Sequence, residues 1–387
     1  MRVVFFAFDN TRGLCYNFVH WIEAFCAVVD ERYQIDIFTL KGEQWPGLHL
    51  ALKETAFPPT VKIKVFDDLQ SVYADDGLKN ADVIHCAGIR QARILAKMRK
   101  TEGLNFKIVM TVHAYRHSTR MAWIFKNMTS LLLARGISGW HFLSPGSFQD
   151  FVTRNFRRRA VANNSFVFPL GCKPGEFKSD AIVVPQTPAD VLGFAPDGPT
   201  RHLMYFAQFR WGKGHSWMIE GIRDILRNHD VKLWLYGDGE TRPRIKGLIA
   251  KLGLADKAVC PGRVPRKYVP YLLSKAYLGL CPTFNETFGH NFLEPMFSGI
   301  PVIGTPVGIG SWILQDYITG FRVNWGDGRR MAQRLRLCLE DGELVRRMGK
   351  NAKAMAERFF TWEDTARNCL SLYGELAGEQ SKSRRVS

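Results

Sequence analysis

Short apolar runs alternate with helix-length segments along the whole sequence of 387 residues. Runs of this kind, bounded by glycine or proline, are typical of strands buried on both faces of a parallel sheet. A first series of predicted strands covers residues 3–8, 35–40, 61–66, 83–85, 107–112, 139–143 and 166–170. A second series covers residues 202–207, 231–236, 258–260, 277–281 and 301–303. This alternation predicts two doubly wound α/β domains.

The segment at residues 178–200 separates the two series. It contains four prolines and no regular periodicity, as expected of an interdomain hinge. We therefore predict an N-terminal domain at residues 1–178 and a second domain at residues 200–360. Residues 361–380 have the pattern of a final helix, and the polar, basic residues 381–387 are predicted to be disordered.

The net charge of +17 indicates an acidic partner, which could be nucleotide phosphates, nucleic acid or an anionic membrane surface. The eight cysteines are scattered and form no C-x-x-C motif. This usage argues against disulfides or zinc and favours a reducing cytosol. The apolar N-terminal run soon meets Asp9 and Asn10, so it is interpreted as a strand and turn and not as a secretory signal.

The most informative stretch is residues 282–304, which follow one predicted strand and lead into the next. Between them a helix is expected to begin near residues 289–291, where unpaired N–H groups and the helix dipole favour an anion. Glu286 precedes that start, and Glu294 lies about one turn inside the helix. Carboxylates accept hydrogen bonds from hydroxyls, so a sugar on each side of a diphosphate would satisfy this arrangement. Pro295 implies that the helix starts late or kinks.

The two glutamates, with Phe288-Gly289 after the first and a Gly-x-Pro sequence after the second, resemble family 4 of the retaining glycosyltransferases. The resemblance implies the GT-B fold, with two Rossmann-like domains facing a cleft and a C-terminal helix that crosses back to the first. It also implies that Glu286 contacts donor-sugar hydroxyls and that Glu294 contacts the ribose. Further donor contacts expected from it are Phe288, Gly289, His290, Asn291, Gly13, Gln208, Gly237 and Arg263.

Lys213-Gly214 follows the first strand of the second series and resembles the lysine-glycine pair with which the family contacts the donor phosphates. The family has an arginine five or six residues before that lysine, where this chain has Gln208 and Ala207. The nearest arginine is Arg210. We expect Arg210 to share the diphosphate with Lys213, and the alternative is that Gln208 occupies the usual place.

His113 ends a predicted strand of the first domain and resembles a family histidine that lies near the donor sugar. His85 ends a neighbouring strand and is interpreted as structural or as part of the acceptor side. Gly13 matches half of the double glycine that many relatives have. Gly237 resembles the family's Gly-x-Gly turn, and Arg263 lies in a turn that is either an ordinary one or a contact to the nucleobase.

An apolar stripe at helical spacing runs between residues 121 and 132 and is flanked by basic side chains. It can be read as core packing beneath a solvated basic face, or as a surface that docks on anionic lipid. No nucleic-acid module is recognisable, so nucleic acid is not expected as a partner.

The resemblance to this family implies a retaining, hexosyl-transferring enzyme that uses a nucleotide-diphosphate sugar as donor. The expected acceptor is a saccharide or glycolipid of cell-surface glycan biosynthesis, reached in the cytoplasm or at the inner face of a membrane. His113, Glu286, Lys213 and Arg210 are the predicted catalytic residues, and no metal or separate cofactor is expected. Alternatives are a nucleotide-sugar 2-epimerase of the same fold and a non-catalytic basic binding protein.

Overall fold

The computed structural model describes residues 1–6, 14–40, 58–112, 136–154, 161–185 and 199–378. The chain divides into two compact units. The first unit is Met1–Gly171 together with Trp362–Ser387, and the second is Cys172–Thr361. The C-terminal helix therefore belongs with the N-terminal part of the chain.

The first unit is built on a parallel sheet of seven strands in the order β3-β2-β1-β4-β5-β6-β7. Its strands are β1 Arg2–Phe6, β2 Gln34–Leu40, β3 Val61–Phe66, β4 Val83–Cys86, β5 Lys107–Val112, β6 Gly139–Phe142 and β7 Ser165–Val167. The order reverses between β1 and β4, because the chain first builds outwards to β3 and then returns to the other side of β1. The sheet is doubly wound, as predicted from the sequence.

The described helices of this unit are α1 Leu14–Val28, α2 Leu69–Ala74, α3 Asp76–Lys79, α4 Ile89–Thr101, α5 Pro145–Arg154 and α13 Trp362–Ala377. On α4 the buried residues Ala92, Leu95 and Met98 recur at helical spacing and join the apolar core beneath the sheet. The same core contains Val4, Ile84, Ile108, Trp140 and Phe142 from the strands.

An aromatic cluster joins α1 and α13 to β1 within the first unit. Phe5 of β1 lies 5.1 Å from the rings of both Trp21 and Phe25 of α1, and 5.9 Å from Tyr373 of α13. The buried residues of α13 recur every three or four positions from Trp362 to Tyr373. That periodicity gives the helix one apolar face, which packs against α1 and the sheet.

The second unit contains a parallel sheet of six strands in the order β10-β9-β8-β11-β12-β13. Its strands are β8 Arg201–Phe206, β9 Val231–Tyr236, β10 Ala258–Gly262, β11 Leu278–Cys281, β12 Val302–Gly304 and β13 Gly320–Arg322. Its helices are α6 His215–Asn228, α7 Arg242–Lys251, α8 Val269–Ser274, α9 His290–Phe297, α10 Gly310–Ile313, α11 Gly328–Glu340 and α12 Gly342–Phe359. Here the strand order reverses between β8 and β11.

Most strand bounds agree with the prediction to within one or two residues, whereas β7 ends at Val167 and not at the predicted residue 170. Two further differences concern the arrangement of the fold. Strand β13 is absent from the predicted series, because Gly320–Arg322 is too short and too polar to form an apolar run. Residues 172–178 lie with the second unit, whereas the predicted boundary placed them in the first. The reason is that Cys172 forms an isolated parallel β-bridge with Thr361, and the ring of Phe177 stacks on the ring of Phe297. Thr361 and Phe297 both belong to the second unit.

A buried chain of hydrogen bonds crosses the carboxyl ends of three strands in the first unit. His85 Nδ1 lies 2.5 Å from the Tyr373 hydroxyl, and His85 Nε2 lies 2.6 Å from Thr111 Oγ1. Thr111 Oγ1 lies 2.9 Å from His141 Nδ1, and His141 Nε2 lies 3.0 Å from the Phe168 carbonyl. Because a carbonyl only accepts, donation from Tyr373 through to Phe168 satisfies all of these bonds with both imidazoles neutral. His85 is therefore structural.

Replacing Tyr373 by phenylalanine should remove the hydrogen bond from the Tyr373 hydroxyl to His85 Nδ1 inside this buried chain. We expect the free energy of unfolding to fall by about 1–3 kcal/mol, measured by urea denaturation. Tyr73→Phe is the matched control, because the Tyr73 hydroxyl is buried and has no hydrogen-bond partner in the described part of the chain. Equal losses in the two variants would show that the histidine chain contributes nothing to stability.

Candidate functional site

The candidate site lies at the carboxyl edge of the second sheet, where the strand order reverses between β8 and β11. In a doubly wound sheet the loops after these two strands leave in opposite directions and open a crevice, which is where such folds bind ligands. The loop after β8 carries Lys213, and the loop after β11 carries Glu286. Two predicted catalytic residues are therefore brought to one place by topology.

Backbone contacts hold the two loops together. The Phe284 amide donates to the Gly212 carbonyl at 2.8 Å, and Thr283 Oγ1 donates to the same oxygen at 3.2 Å. Gly214 has a φ of +73°, and a Cβ atom at this position would lie 1.9 Å from the Pro282 carbonyl oxygen. Only glycine combines this left-handed backbone with so close an approach. The glycine after Lys213 is thus required by packing.

Lys213 and Glu286 form an ion pair, in which Lys213 Nζ donates to Glu286 Oε2. Their side chains are only 14% and 21% exposed, so water screens the pair less than it screens a surface salt bridge. The Tyr205 hydroxyl donates to the Lys213 carbonyl at 2.9 Å and fixes the backbone from which the lysine projects. The pair is a cation and an acceptor held side by side.

Helix α9 begins directly after Gly289, which is its N-cap in a left-handed conformation. His290 and Asn291 form its first turn, with no acidic side chain there, so the end of the helix dipole stays positive. Phe288 is buried behind this turn, and its carbonyl accepts from the Ile309 amide at 2.7 Å. The helix starts where the sequence predicted.

Pro295 lies inside α9 and cannot donate to the Asn291 carbonyl, as a residue with an N–H would. Cys281 Sγ donates to that carbonyl instead, at 3.1 Å. Burial raises the pKa of the Cys281 thiol well above its usual range, which keeps the proton that this bond needs. The proline is accommodated because a neighbouring strand supplies a substitute donor.

Glu294 is 3% exposed and forms an ion pair with Arg266 Nη1. Arg266 begins a short 3-10 helix after β10, three positions beyond the predicted Arg263, and was not selected from the sequence. A buried carboxylate needs a partner, so a nearby cation could be predicted once Glu294 was placed in the helix. The sequence does not show that this cation is Arg266, because the two residues are 28 positions apart along the chain.

The remaining predicted donor residues of this unit lie on the loops after β8, β9 and β10. Gln208, Arg210 and Arg263 are exposed. Gly237 has a φ of +136°, and a Cβ atom there would lie 1.9 Å from the Ala207 carbonyl oxygen, so the turn after β9 packs against the loop after β8. The structure brings Arg210 and Gln208 to the same loop as Lys213, and the choice between them stays a prediction.

His215, which the sequence did not single out, is the first residue of α6 and is 3% exposed. Its ring stacks on Phe209 at 4.4 Å and lies 5.0 Å from the ring of Tyr205. Burial, with a smaller contribution from the Lys213 charge, lowers its pKa to about 4. The imidazole is therefore neutral near pH 7 and adds no charge beside Lys213.

An exposed aromatic cluster also flanks the site and was not predicted. The Trp211 ring lies 6.1 Å from Phe284 and 6.3 Å from Trp325, and Phe284 lies 5.2 Å from Trp325. Trp211 is 71% exposed although it belongs to the Lys213 loop. The planes of these rings make angles of 56–65° with one another, so the three rings form no continuous flat platform.

Two predicted residues, His113 and Gly13, lie outside the described residues, as does the apolar stripe between residues 121 and 132. Within the described ranges, no group of three or more His, Cys, Asp or Glu side chains is arranged to hold a metal ion. None of the described helices has the length and apolar character to span a membrane.

Part of the second unit is similar in sequence to a known family. Residues 194–355 match the family model described as glycosyl transferases group 1. The N-acetyl-alpha-D-glucosaminyl L-malate synthase of Bacillus anthracis is 30% identical over 174 residues, which cover 45% of each chain. The alignment thus spans about half the length of this relative.

Comparison with solved structures covers nearly the whole chain. A glycosyltransferase from Rickettsia africae ESF-5 superposes with a TM-score of 0.76 at 16% identity, covering 98% of this chain and 99% of that one. The structure of Anabaena Alr3699/HepE in complex with UDP and glucose gives a TM-score of 0.70 at 17% identity, covering 98% of each chain. This likeness shows the fold and confirms the two-domain GT-B architecture predicted from the sequence.

Replacing Gly214 by alanine should force a Cβ atom into the Pro282 carbonyl and strain the left-handed backbone. We expect a loss of about 1–3 kcal/mol in the free energy of unfolding from the backbone alone, and a larger loss from the clash. Gly212→Ala, two residues away, is the control, because a Cβ atom there meets nothing within 4 Å. Thermal unfolding curves that match for the two variants would contradict the close approach.

Proposed function

We propose that the protein is a glycosyltransferase that moves a sugar from a nucleotide-diphosphate sugar to a saccharide or glycolipid. The observation that carries the proposal is the grouping of Lys213, Glu286, Glu294 and the start of α9 at the carboxyl edge of the second sheet. The match to group 1 glycosyl transferases covers the same unit and supports it. The Anabaena HepE structure, a complex with UDP and glucose, supports the class of donor.

In this proposal the donor diphosphate lies at the N-terminus of α9, beside Lys213. The free N–H groups of the first turn and the lysine charge both favour an anion. Negative charge grows on the diphosphate as the sugar leaves, and groups already held in place stabilise it most. Arg210 is the nearest further cation on the Lys213 loop, and it would reach the diphosphate by turning in from its exposed position.

The two glutamates would bind hydroxyls on either side of the diphosphate. A diphosphate that approaches Lys213 competes with Glu286 for the ammonium group, so the carboxylate becomes available to hydroxyls of the donor sugar. Glu294 would bind the ribose with the oxygen that Arg266 leaves free, since Arg266 Nη1 occupies Oε1. Arg266 then acts as a positioning residue that holds the buried carboxylate in place.

The stereochemical and metal requirements belong to the same proposal. We propose transfer with retention of configuration, by attack from the face that the diphosphate leaves, with a donor phosphate oxygen accepting the proton of the acceptor hydroxyl. Lys213 and the helix N-terminus would supply the charge stabilisation without a metal ion. Cys86, Cys281 and Cys369 form no disulfide in the part of the chain that the structure describes, and this supports a cytoplasmic location, where thiols stay reduced.

A thermal-shift screen with UDP, GDP and ADP and their sugars tests the donor class. Transfer or hydrolysis of the matching radiolabelled sugar then separates an enzyme from a binding protein, and NMR of the released sugar gives its anomeric configuration. Binding of a nucleotide sugar without any turnover would favour a non-catalytic role. Conversion of the donor to a 2-epimer would identify the alternative enzyme.

Glu294→Gln should weaken binding of the nucleoside diphosphate by about 1.5–3 kcal/mol, because a charge-assisted hydrogen bond to the ribose is lost. Isothermal titration calorimetry measures this directly. Glu286→Gln is the control, since it removes the competitor for Lys213 and so should not weaken nucleoside diphosphate binding, whereas it should reduce turnover of the sugar donor. Adding Arg266→Gln to the Glu294 variant also removes the cation of the pair, which is 35% exposed, and so separates lost stability from lost affinity. Unchanged affinity in Glu294→Gln would contradict the ribose assignment.

Arg210→Ala should lower the catalytic rate by about 10²–10³, the loss expected for one preorganised donor to a developing anion. Lys213→Ala should lower the catalytic rate by a similar factor. The rate of the double variant should fall by less than the product of the two factors, since both residues act on one group. Steady-state kinetics at saturating donor gives these rates. Near-normal turnover in Arg210→Ala with a loss in Gln208→Ala would assign the position to Gln208. If neither Arg210→Ala nor Gln208→Ala changes turnover, and added magnesium increases it, the metal-free mechanism is wrong.

A further inference from the structure

Helix α4 in the first unit carries a concentrated basic surface that the proposed transfer reaction does not use. Its sequence, IRQARILAKMRKT, contains five basic residues and no acidic one. Arg99 has a structural role, because its guanidinium donates to the carbonyls of Phe106 and Gly136. The other basic side chains, Arg90, Arg93, Lys97 and Lys100, are exposed. None of these has an acidic partner among the residues that the structure describes.

The four exposed cations lie on one face of α4. At about 100° per residue they fall within an arc of about 80°, directly opposite the face that enters the core. Arg90 and Lys100 are separated by about 15 Å along the helix axis, at 1.5 Å per residue. We define this set, Arg90, Arg93, Lys97 and Lys100, as the basic stripe.

Two isoleucines border the basic stripe, one on each side of the arc. Ile89 is 45% exposed and Ile94 is 42% exposed, although each could have been polar at no cost to the core. A nucleic acid or an acidic polysaccharide would pair with the cations and leave both apolar side chains in water. An anionic bilayer offers phosphate groups to the cations and acyl chains to the isoleucines, and so matches the whole face.

We propose that the solvent face of α4 docks the protein on an anionic lipid surface through the basic stripe, with Ile89 and Ile94 inserted between headgroups. The surface is built on a helix of the first unit, whereas Lys213, Glu286 and Glu294 belong to the second. The proposal therefore does not depend on the reaction. It accounts for part of the chain's net charge of +17, which a single nucleotide would not require.

Vesicle co-sedimentation with the full chain tests this surface. Wild-type protein should bind vesicles of phosphatidylcholine with phosphatidylglycerol, bind phosphatidylcholine alone much less, and be released as salt is raised. Arg93→Gln/Lys97→Gln should weaken partitioning by about tenfold to thirtyfold, since each basic residue contributes separately. Arg336→Gln/Arg347→Gln, which removes the same charge from exposed positions of α11 and α12, should have little effect.

A second variant tests the apolar part of the surface. Ile89→Asn/Ile94→Asn keeps all four cations and should still weaken binding to the acidic vesicles while leaving it salt-dependent. Full binding by this variant, with loss in the Gln variant, would show that the face recognises charge alone and would favour an acidic polymer over a membrane. Equal binding by the α4 variant and the control would also overturn the proposal. Donor hydrolysis without vesicles should stay unchanged in every variant, which separates this surface from the donor site.

Discussion

The candidate site depends on one constraint, the contact between the backbones of the loops after β8 and β11. Gly214 approaches the Pro282 carbonyl too closely for any side chain, and the Phe284 amide bonds to Gly212. Because main chains are joined here, the positions of Lys213 and Glu286 follow from the fold and not from the flexibility of their own side chains. Preorganisation of this kind lets a charged site stabilise an anion without first rearranging.

Most of the architecture could be predicted because parallel strands buried on both faces leave continuous apolar runs. Residues 231–236 are predicted and observed as a strand with the same bounds. The prediction failed where that signal is weak. Strand β13 has three residues and one apolar side chain, and residues 172–178 join the second unit through contacts with Thr361 and Phe297 that lie far away in the sequence.

The candidate site was predictable only in part, and for a similar reason. Lys213 and Glu286 belong to local motifs whose glycines and prolines reveal the turn they occupy, so each could be placed by itself. That they form a pair follows from the strand order. Arg266 has no local motif, since its importance comes from a buried carboxylate on another element. His215 resembled any helix residue until the structure showed it enclosed by aromatic rings.

The membership of α13 in the first unit has a consequence for how the chain is made. Ribosomes release the N-terminus first, and domains generally fold in that order. Here the second unit, Cys172–Thr361, is complete before α13 has been synthesised. The first unit meanwhile lacks Tyr373, so the hydrogen bond from Tyr373 to His85 has not formed and the Tyr373 ring does not yet cover the aromatic face of β1 and α1. The unit that is synthesised first is therefore completed last, and loss of the C-terminus would damage the N-terminal half of the protein.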